Sequence, residues 1–529
     1  MLQAHNRHQY SDLLIKPWKY NRFHTFKMGD VVFINFVKGF VGICLAVSIS
    51  LLSFLVFSEW LRGFENPHAF VRTGTATTPD SIPCGGGEDD DRTPGATNIS
   101  HVLFGIGSSL ETWNGRRHYC DAWWDPDVMR GFVWLDGRPP ENETWPERAP
   151  PFRVSQNTSG FQYTCSFGSR AAVRIARIVK ESFELGAENV RWFVMGDDDT
   201  VFFPENLVAV LSKYDHREMY YIGGVSESVE QTEVHSYTMA YGGGGFAISY
   251  PLAAKLVRVL DGCIDRYADY YGSDQKIGGC ITEIGVPLTK EPGFHQMDIR
   301  EDPYGLLAAH PVAPLVSLHH LDYMWPMFPE KSQEESLRKL VSAYKTDPSR
   351  TLQQSFCYDT RRNWTISIAW GYTVQLYPAL VRARELEMPF GTFLTWTSWQ
   401  ERPFTFDVRR MSSDLCEKPL IFYLDDKVGS FGSRGSVTTY NRAREEGGKE
   451  CDSYEYKPAL SVSAFNVSAQ ILSPDIWKKF PEKNRKTAAA MKEDREQGST
   501  NGGDEHSNET LKWTVVQYNL RVTPALIIN

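Results

Sequence analysis

Three consecutive aspartates follow an apolar segment near the middle of the chain. Asp197, Asp198 and Asp199 come directly after RWFVM (191–195) and Gly196. In an extended chain Asp197 and Asp199 point to the same side, and paired carboxylates are ligands for Mg²⁺ or Mn²⁺, which can in turn hold a diphosphate. A solvated acidic patch is the alternative, which we accept for the acidic run at 88–91. The position after a buried strand favours a metal site at Asp197 and Asp199.

Four glycines form a second candidate segment. Tyr241 is followed by Gly242, Gly243, Gly244 and Gly245, and then by Phe246. The missing side chains let backbone approach a guest such as a sugar or its acceptor. A tight turn before a helix is an equally good interpretation. No phosphate-loop lysine follows, so the segment is not a nucleoside-triphosphate loop.

An aspartate and two histidines complete the candidate set. Asp274 lies in SDQKIGG (273–279), near a predicted helix start, where capping the helix is its ordinary role. His319 and His320 follow the apolar segment PVAPLV (311–316). Adjacent residues of a strand point to opposite sides, so at most one of the two would bind a single metal. Surface or core histidines are the alternative.

Strands and helices alternate in the region that carries these residues. HVLFGIG (101–107), MRGFVWLDG (129–137) and RWFVM (191–195) read as buried strands. Residues 110–124 and 169–185 read as helices, the latter with apolar residues on one face and Arg174 and Arg177 on the others. This order predicts a mostly parallel sheet in an α/β fold, with ligands beyond the carboxyl ends of the strands.

The chain changes character after residue 330. Ser332 and Glu335 form a capping box for a helix to about Tyr344. Residues 364–376 alternate like one half-buried strand, and 404–408, 420–424 and 513–522 are also strand-like. We predict an α/β domain at 101–345 and a β-rich domain at 346–529. A polar, disordered insertion is predicted near 478–510.

The N-terminal segment predicts a membrane anchor. Residues 39–58 carry no charge over about the 20 residues that a membrane-spanning helix needs, and a basic tail precedes them. We therefore predict a cytosolic tail at 1–38, a signal anchor at 39–58 and a stem at 59–100, with a cleaved signal peptide as the alternative.

The sequence after residue 58 has features typical of a protein domain in the secretory lumen. Six glycosylation sequons and eight further cysteines follow the apolar segment, compatible with disulfides in an oxidising lumen. The net charge is −9, and the sequence shows no dominant basic face, which argues against nucleic acid as the main partner.

Together and in this order, these segments resemble the Fringe-like β-1,3-glycosyltransferases of family 31. The long C-terminal region is similar to that of the Fringe-related branch of plants. The resemblance implies a GT-A-type (Rossmann-like) glycosyltransferase domain with a β-rich C-terminal extension behind a single transmembrane helix. It also implies a type II Golgi membrane protein that inverts the donor's anomeric carbon, uses Mn²⁺ (or Mg²⁺), and moves a sugar from a UDP-sugar to a hydroxyl of a glycan or glycoprotein.

The resemblance also implies roles for individual residues. Asp197 and Asp199 correspond to the metal-binding aspartates, Asp274 to the catalytic base, and His320, with His319 as the alternative, to the metal-binding histidine. Ser273 stands where the family has an acid. Residues expected at the nucleotide sugar are Gly107, Ser108, Ser109, Asp136, Arg170, Asp197, Asp198, Gly243, Gly244 and Gly245. A sugar-binding Golgi protein without activity and a cell-surface adhesion protein are the rival hypotheses.

Overall fold

The computed structural model describes residues 96–142, 144–396, 408–430, 435–443, 451–478, 513–514 and 520–526. The expected tail, the anchor at 39–58, most of the stem and nearly all of the insertion lie outside these residues. Within the described ranges, no helix is long and apolar enough to cross a membrane. Contacts group Arg92–Asn529 as one compact unit, to which all described residues belong.

The N-terminal part of this unit alternates strands and helices. Its strands are β1 (Val102–Gly107), β2 (Arg130–Leu135), β3 (Phe152–Val154), β4 (Trp192–Asp197), β5 (Val201–Phe202), β6 (Tyr221–Gly223), β7 (Phe246–Ser249), β8 (Leu288–Lys290), β9 (Ile299–Glu301) and β10 (Ser317–Leu318). Its helices are α1 (Trp113–Asp121), α2 (Ala171–Glu184), α3 (Pro204–Leu211), α4 (Val229–Val234), α5 (Tyr250–Leu256), α6 (Leu260–Arg266), α7 (Ser273–Ile284), α8 (Tyr304–Leu307) and α9 (Gln333–Thr346).

Seven of the strands form one mixed sheet in the order β3-β2-β1-β4-β7-β6-β8. All its pairs are parallel except β4–β7 and β7–β6, which are antiparallel. The sheet is buried on both faces: Leu103 belongs to one apolar cluster, while its neighbours Val102 and Phe104 belong to the other. The prediction of a mostly parallel sheet in an α/β fold is confirmed.

The order of this sheet reverses at β1. The chain places β2 on one side of β1 and β4 on the other, both parallel to it. Gly107, the last residue of β1, is the register partner of Asp197, the last residue of β4. In open α/β sheets such a reversal leaves a crevice beyond the carboxyl ends of the strands, where ligands bind.

The C-terminal part is rich in antiparallel strands. Its elements are β11 (Gln354–Asp359), β12 (Trp364–Ala369), β13 (Thr373–Tyr377), α10 (Ala383–Leu386), β14 (Phe393–Thr395), β15 (Leu420–Ser430), β16 (Gly435–Arg442), α11 (Lys457–Leu460), β17 (Val462–Gln470), α12 (Asp475–Lys478), β18 (Trp513–Thr514) and β19 (Leu520–Leu526). All these strands except β14 form an eight-stranded sheet. The single strand expected at 364–376 is two strands, because the chain turns at Gly371, whose φ is +79°.

The two sheets share a hydrophobic core. One cluster contains Phe104 and Val194 of the first sheet together with Ile366, Phe422 and Val467 of the second. Ser332 is the N-cap residue of α9, and its capping box with Glu335 is present as predicted. The boundary between 345 and 346 stays a prediction.

Candidate functional site

The acidic segment forms a tight turn at the end of β4. The Asp197 N–H donates to Thr200 Oγ1 at 2.7 Å, and the Thr200 N–H donates back to the Asp197 carbonyl at 3.1 Å. The Thr200 hydroxyl then donates to the Gly243 carbonyl at 2.7 Å. One threonine therefore connects the aspartate turn to the glycine segment.

Two aspartates of this turn meet a histidine. Asp197, Asp199 and His319 each offer a ligand atom, and these atoms lie within 4.8 Å of one another. His319 Nε2 lies 3.1 Å from Asp199 Oδ1, and both residues are buried. Two carboxylates and one imidazole fit a divalent cation such as Mn²⁺, whose remaining positions would be open to a diphosphate or water. We name these three residues the metal cluster.

Charges in the metal cluster are strongly coupled. Burial alone would raise the pKa of Asp199, but His319 and Arg116 outweigh it and lower that pKa well below its usual range. Burial raises the pKa of Asp197 to about 7, although His319 opposes this. Burial would lower the pKa of His319, but Asp199 and Asp197 raise it to about 9. The imidazole and the two carboxylates therefore favour each other's charged forms.

The histidine in this cluster is His319 rather than His320, the ligand chosen from the sequence. His320 Nδ1 lies 3.1 Å from Asp298 Oδ1, and its ring stacks on Trp396 at 4.3 Å. Strand β10 ends at Leu318, and His320 has a φ of +55°. The left-handed backbone turns His320 toward Asp298 while His319 faces the aspartates.

Asp198, the second of the three aspartates, holds the loop after β1 by hydrogen bonds. It accepts hydrogen bonds from Ser108 Oγ at 2.8 Å and Thr112 Oγ1 at 2.5 Å. Arg116 Nη1 lies 3.3 Å from Asp198 and 3.1 Å from Asp199. Asp198 is thus already bound to protein groups on several sides, and it joins the first loop to the metal cluster.

The loop Gly107–Ser109 lies where the sequence predicted. A side chain at Gly107 would contact Asp197 Oδ1 at 3.3 Å, so the two strand ends touch. The Ser109 hydroxyl hydrogen-bonds with Thr112 Oγ1 at 3.0 Å. The loop therefore lines the crevice beside the metal cluster.

Two residues predicted at the nucleotide sugar, Asp136 and Arg170, make their hydrogen bonds outside the metal cluster. Asp136 accepts a hydrogen bond from the Leu110 N–H at 2.9 Å, which holds the far end of the first loop. The Arg170 side chain is exposed and donates to the carbonyls of three loop residues, Thr158, Ser159 and Phe161. Neither is placed at the aspartates by any hydrogen bond or ion pair that the described residues show.

Two arginines that the sequence analysis missed hold the site instead. Arg116 bridges Asp198 and Asp199, whose charges, against the effect of burial, raise its pKa further. Arg174, expected on an exposed helix face, is buried and donates to the Ser108 carbonyl at 2.6 Å and the Trp134 carbonyl at 3.0 Å.

The glycine segment lies between the metal cluster and Asp274. The Gly242 N–H donates to Asp274 Oδ2 at 3.2 Å, and the Gly244 N–H donates to Gln296 Oε1 at 2.7 Å. Gly245 has a φ of +80°, a backbone conformation that favours glycine. A Cβ at Gly243 would collide with the His319 ring. The absence of side chains here is therefore what lets His319 reach the aspartates.

Asp274 is the second residue of α7, and Gly272 occupies the N-cap position. Its carboxylate accepts from the N–H groups of Gly242 and Gln275, the latter at 2.8 Å. Burial raises the pKa of Asp274, and these two N–H groups oppose the rise. Asp274, Asp197, Gly242 and Ser273 line one side of a small cavity whose other walls are mostly apolar.

A group of hydrogen-bonded histidine and glutamate side chains, which no sequence motif predicted, holds the segment that contacts the glycine segment. His295 Nε2 lies 2.9 Å from His310 Nε2, and His295 Nδ1 lies 2.9 Å from Glu227 Oε1. Glu227 also accepts from the Met297 N–H at 2.8 Å. These contacts fix the segment 295–298, which supplies Gln296 to Gly244 and Asp298 to His320.

Comparisons with known proteins show partial similarity to glycosyltransferases. Residues 231–487 match a family model described as a protein of unknown function, DUF604. A β-1,3-glucosyltransferase of Homo sapiens is 29% identical over 119 residues, which are 22% of this chain and 23% of that protein. The β-1,3-N-acetylglucosaminyltransferase lunatic fringe of Danio rerio is 25% identical over 194 residues, 33% of this chain and 48% of that protein. The alignments thus span less than half the length of these curated relatives.

Solved structures of glycosyltransferases are also similar. The catalytic domain of Drosophila β1,4-galactosyltransferase 7 in complex with xylobiose matches with a TM-score of 0.21 and 11% identity, covering 36% of this chain and 64% of that one. A glycosyltransferase involved in glycosylation of the major capsid of PBCV-1 matches with a TM-score of 0.24 and 14% identity, covering 45% and 96%.

Proposed function

We propose that this protein is a metal-dependent glycosyltransferase that moves a sugar from a UDP-sugar to a hydroxyl of a glycan or glycoprotein. The observation that carries the proposal is the metal cluster at the reversal point of the sheet, with Asp274 on the other side of the glycine segment. The partial sequence similarity to two β-1,3-glycosyltransferases supports it and favours a β-1,3 linkage.

Asp197, Asp199 and His319 are the residues that would hold Mn²⁺ or Mg²⁺. When bound, the cation would neutralise negative charge on the diphosphate leaving group. Arg116 and Asp198 keep Asp199 in place, while the loop at Ser108 and Ser109 borders the crevice in which the nucleotide would lie.

Asp274 has the properties of a general base. Burial makes its carboxylate a stronger proton acceptor, and the two N–H groups on it fix its direction. In the proposed reaction the acceptor oxygen bonds to the anomeric carbon as its proton passes to Asp274. The bond from that carbon to the phosphate oxygen breaks, and UDP leaves with the electron pair. A single displacement inverts the anomeric carbon, so a UDP-α-sugar gives a β-linkage.

A Golgi location with the body in the lumen belongs to the same proposal. Disulfides Cys263–Cys280 and Cys416–Cys451 support it, because such bonds persist in oxidising compartments. Cys120, Cys165 and Cys357 are buried and form no disulfide with another cysteine among the residues that the structure describes. The assignment to the Fringe-related branch of plants also remains a prediction.

The test is UDP release from a panel of UDP-sugars by the full-length protein with Mn²⁺ and candidate acceptors. We expect release with at least one donor, and we expect Asp199→Ala to abolish both release and metal-dependent UDP binding. Asp425→Ala, in the Asp425–Asp426 pair of β15, is the matched control and should keep both. UDP binding without release from any donor would favour a sugar-binding protein without activity. Wild-type UDP affinity in Asp199→Ala would refute the metal cluster.

A further inference from the structure

Three aromatic rings form a row beside the candidate base. The rings of Phe167 and Tyr271 are stacked with centroids 5.9 Å apart and planes at 18°. Tyr271 stacks in turn on His235 at 5.4 Å and 27°. The three residues come from segments far apart in the sequence, so the fold brings the row together. We name it the aromatic row.

The aromatic row is attached to the first turn of α7, which carries Asp274. Tyr271 lies three residues before Asp274, and its N–H donates to Gln275 Oε1 at 2.9 Å. The same Gln275 side chain donates to the His235 carbonyl at 3.3 Å. The row and the carboxylate therefore have a fixed relative position.

The loop that carries Phe167 is fastened firmly. Tyr163 donates its hydroxyl proton to the Tyr271 carbonyl at 2.9 Å, and the Thr164 N–H donates to the Ala268 carbonyl at 2.9 Å. The three hydrogen bonds from Arg170 hold the start of the same loop. Phe167 is nevertheless 60% exposed, so an ordered loop presents an aromatic ring to solvent.

We propose that the aromatic row is an acceptor subsite, where a sugar ring of the acceptor glycan stacks on the outer face of Phe167. The inference rests on the proposed function. A hydroxyl that gives its proton to Asp274 must come within about 3 Å of it, so the rest of the acceptor covers the surface around Asp274. The C–H groups on one face of a sugar ring fit the electron-rich face of an aromatic ring.

A second exposed aromatic side chain follows His235 in the sequence and extends the proposed subsite. Tyr237, two residues after His235, is 61% exposed and combines a ring with a hydroxyl group. An extended glycan offers both C–H faces and hydroxyl groups to such a surface. This role explains why Arg170 lies away from the aspartates: it holds the loop of the acceptor subsite.

The experiment separates ring stacking from simple apolar contact. Phe167→Leu keeps an apolar side chain without a flat ring, and Phe167→Trp keeps the ring. Tyr454→Ala, at a position 91% exposed in the C-terminal part, is the matched control. Full-length proteins loaded with Mn²⁺ and UDP are applied to a glycan array, and Mn²⁺-dependent UDP affinity is measured by calorimetry.

We expect Phe167→Leu to weaken binding of the retained glycans about 3- to 10-fold. Phe167→Trp and Tyr454→Ala should bind them like the wild type, and UDP affinity should be unchanged in all three. Full glycan binding by Phe167→Leu would overturn the inference, as would equal loss in the Leu and Trp variants. UDP binding by a wild type that retains no glycan would also overturn it. A wild type that binds no UDP would refute the proposed function itself.

Discussion

Replacing His319 should change how metal affinity depends on pH. In the metal-free protein Asp199 and Asp197, against the effect of burial, raise the pKa of His319 to about 9. A metal binds the unprotonated imidazole, so the proton must leave first. Because only protein with an unprotonated His319 can bind the metal, the apparent metal affinity is lowered about 100-fold at pH 7 and about fourfold at pH 8.5.

The metal affinity of His319→Ala should therefore respond to pH differently from that of the wild type. His319→Ala loses a ligand but also loses the competing proton. Loss of His319 also raises the pKa of Asp197 and of Asp199, whose protons then compete with the metal in the variant. The difference in Mn²⁺ affinity between wild type and variant should therefore widen by at most about 25-fold from pH 7 to pH 8.5. Calorimetry in two buffers with different ionisation enthalpies should show that the wild type releases about one proton per metal at pH 8.

His320→Ala is the control, because His320 adjoins Asp298 and Trp396 rather than the paired aspartates. It should keep the wild-type proton release and pH dependence. If His320→Ala removes the proton release and His319→Ala does not, the reasoning from the geometry is refuted. An affinity difference between His319→Ala and wild type that does not change with pH would show that His319 carries no competing proton.

Two further variants test the other side of the site. Asp274→Asn should lower turnover about 10²–10⁴-fold while Mn²⁺ and UDP binding persist, because the amide cannot take the acceptor's proton; near wild-type transfer in steady-state kinetics would remove Asp274 from the mechanism. Gly243→Ala should weaken Mn²⁺ binding at least about 10-fold, since its Cβ displaces the His319 ring. Gly115→Ala, where a Cβ would meet nothing within 4 Å, should leave calorimetric Mn²⁺ affinity unchanged, and equal loss in both variants would contradict the steric argument.

The sequence predicted the elements around the site better than the contacts within it. The buried strands and the acidic turn after β4 are visible as apolar runs and as residues of one type at a fixed spacing. Strand alternation allowed at most one of His319 and His320 as a ligand, and the resemblance to the family's histidine segment selected His320. The structure places His319 at the aspartates instead, because β10 ends at Leu318 and His320 adopts a left-handed backbone. A local pattern does not record where a strand stops.

The arginines show a second reason for error. Periodicity placed Arg174 and Arg177 on the polar faces of α2, which suits a helix with one side in solvent. This helix also packs against α5, α6 and α7, so both side chains are buried. Arg177 pairs with Asp261 at 2.9 Å, and Arg174 donates to two carbonyls. Tertiary packing, which a single helix pattern does not contain, decides their roles.

The acidic side chains of the crevice give a physical reason why a metal would be needed there. Asp197, Asp199 and Asp322 are acidic groups at this edge, and the nearest guanidinium, Arg116, is already paired with Asp199 and Asp322. A diphosphate brought to such an edge alone would be repelled, because like charges in a partly buried site are weakly screened. A divalent cation on Asp197, Asp199 and His319 would add positive charge where the diphosphate would lie and would release the proton of His319 at the same time. In the proposed mechanism, the acids that hold the site together would therefore also make nucleotide binding depend on a cation.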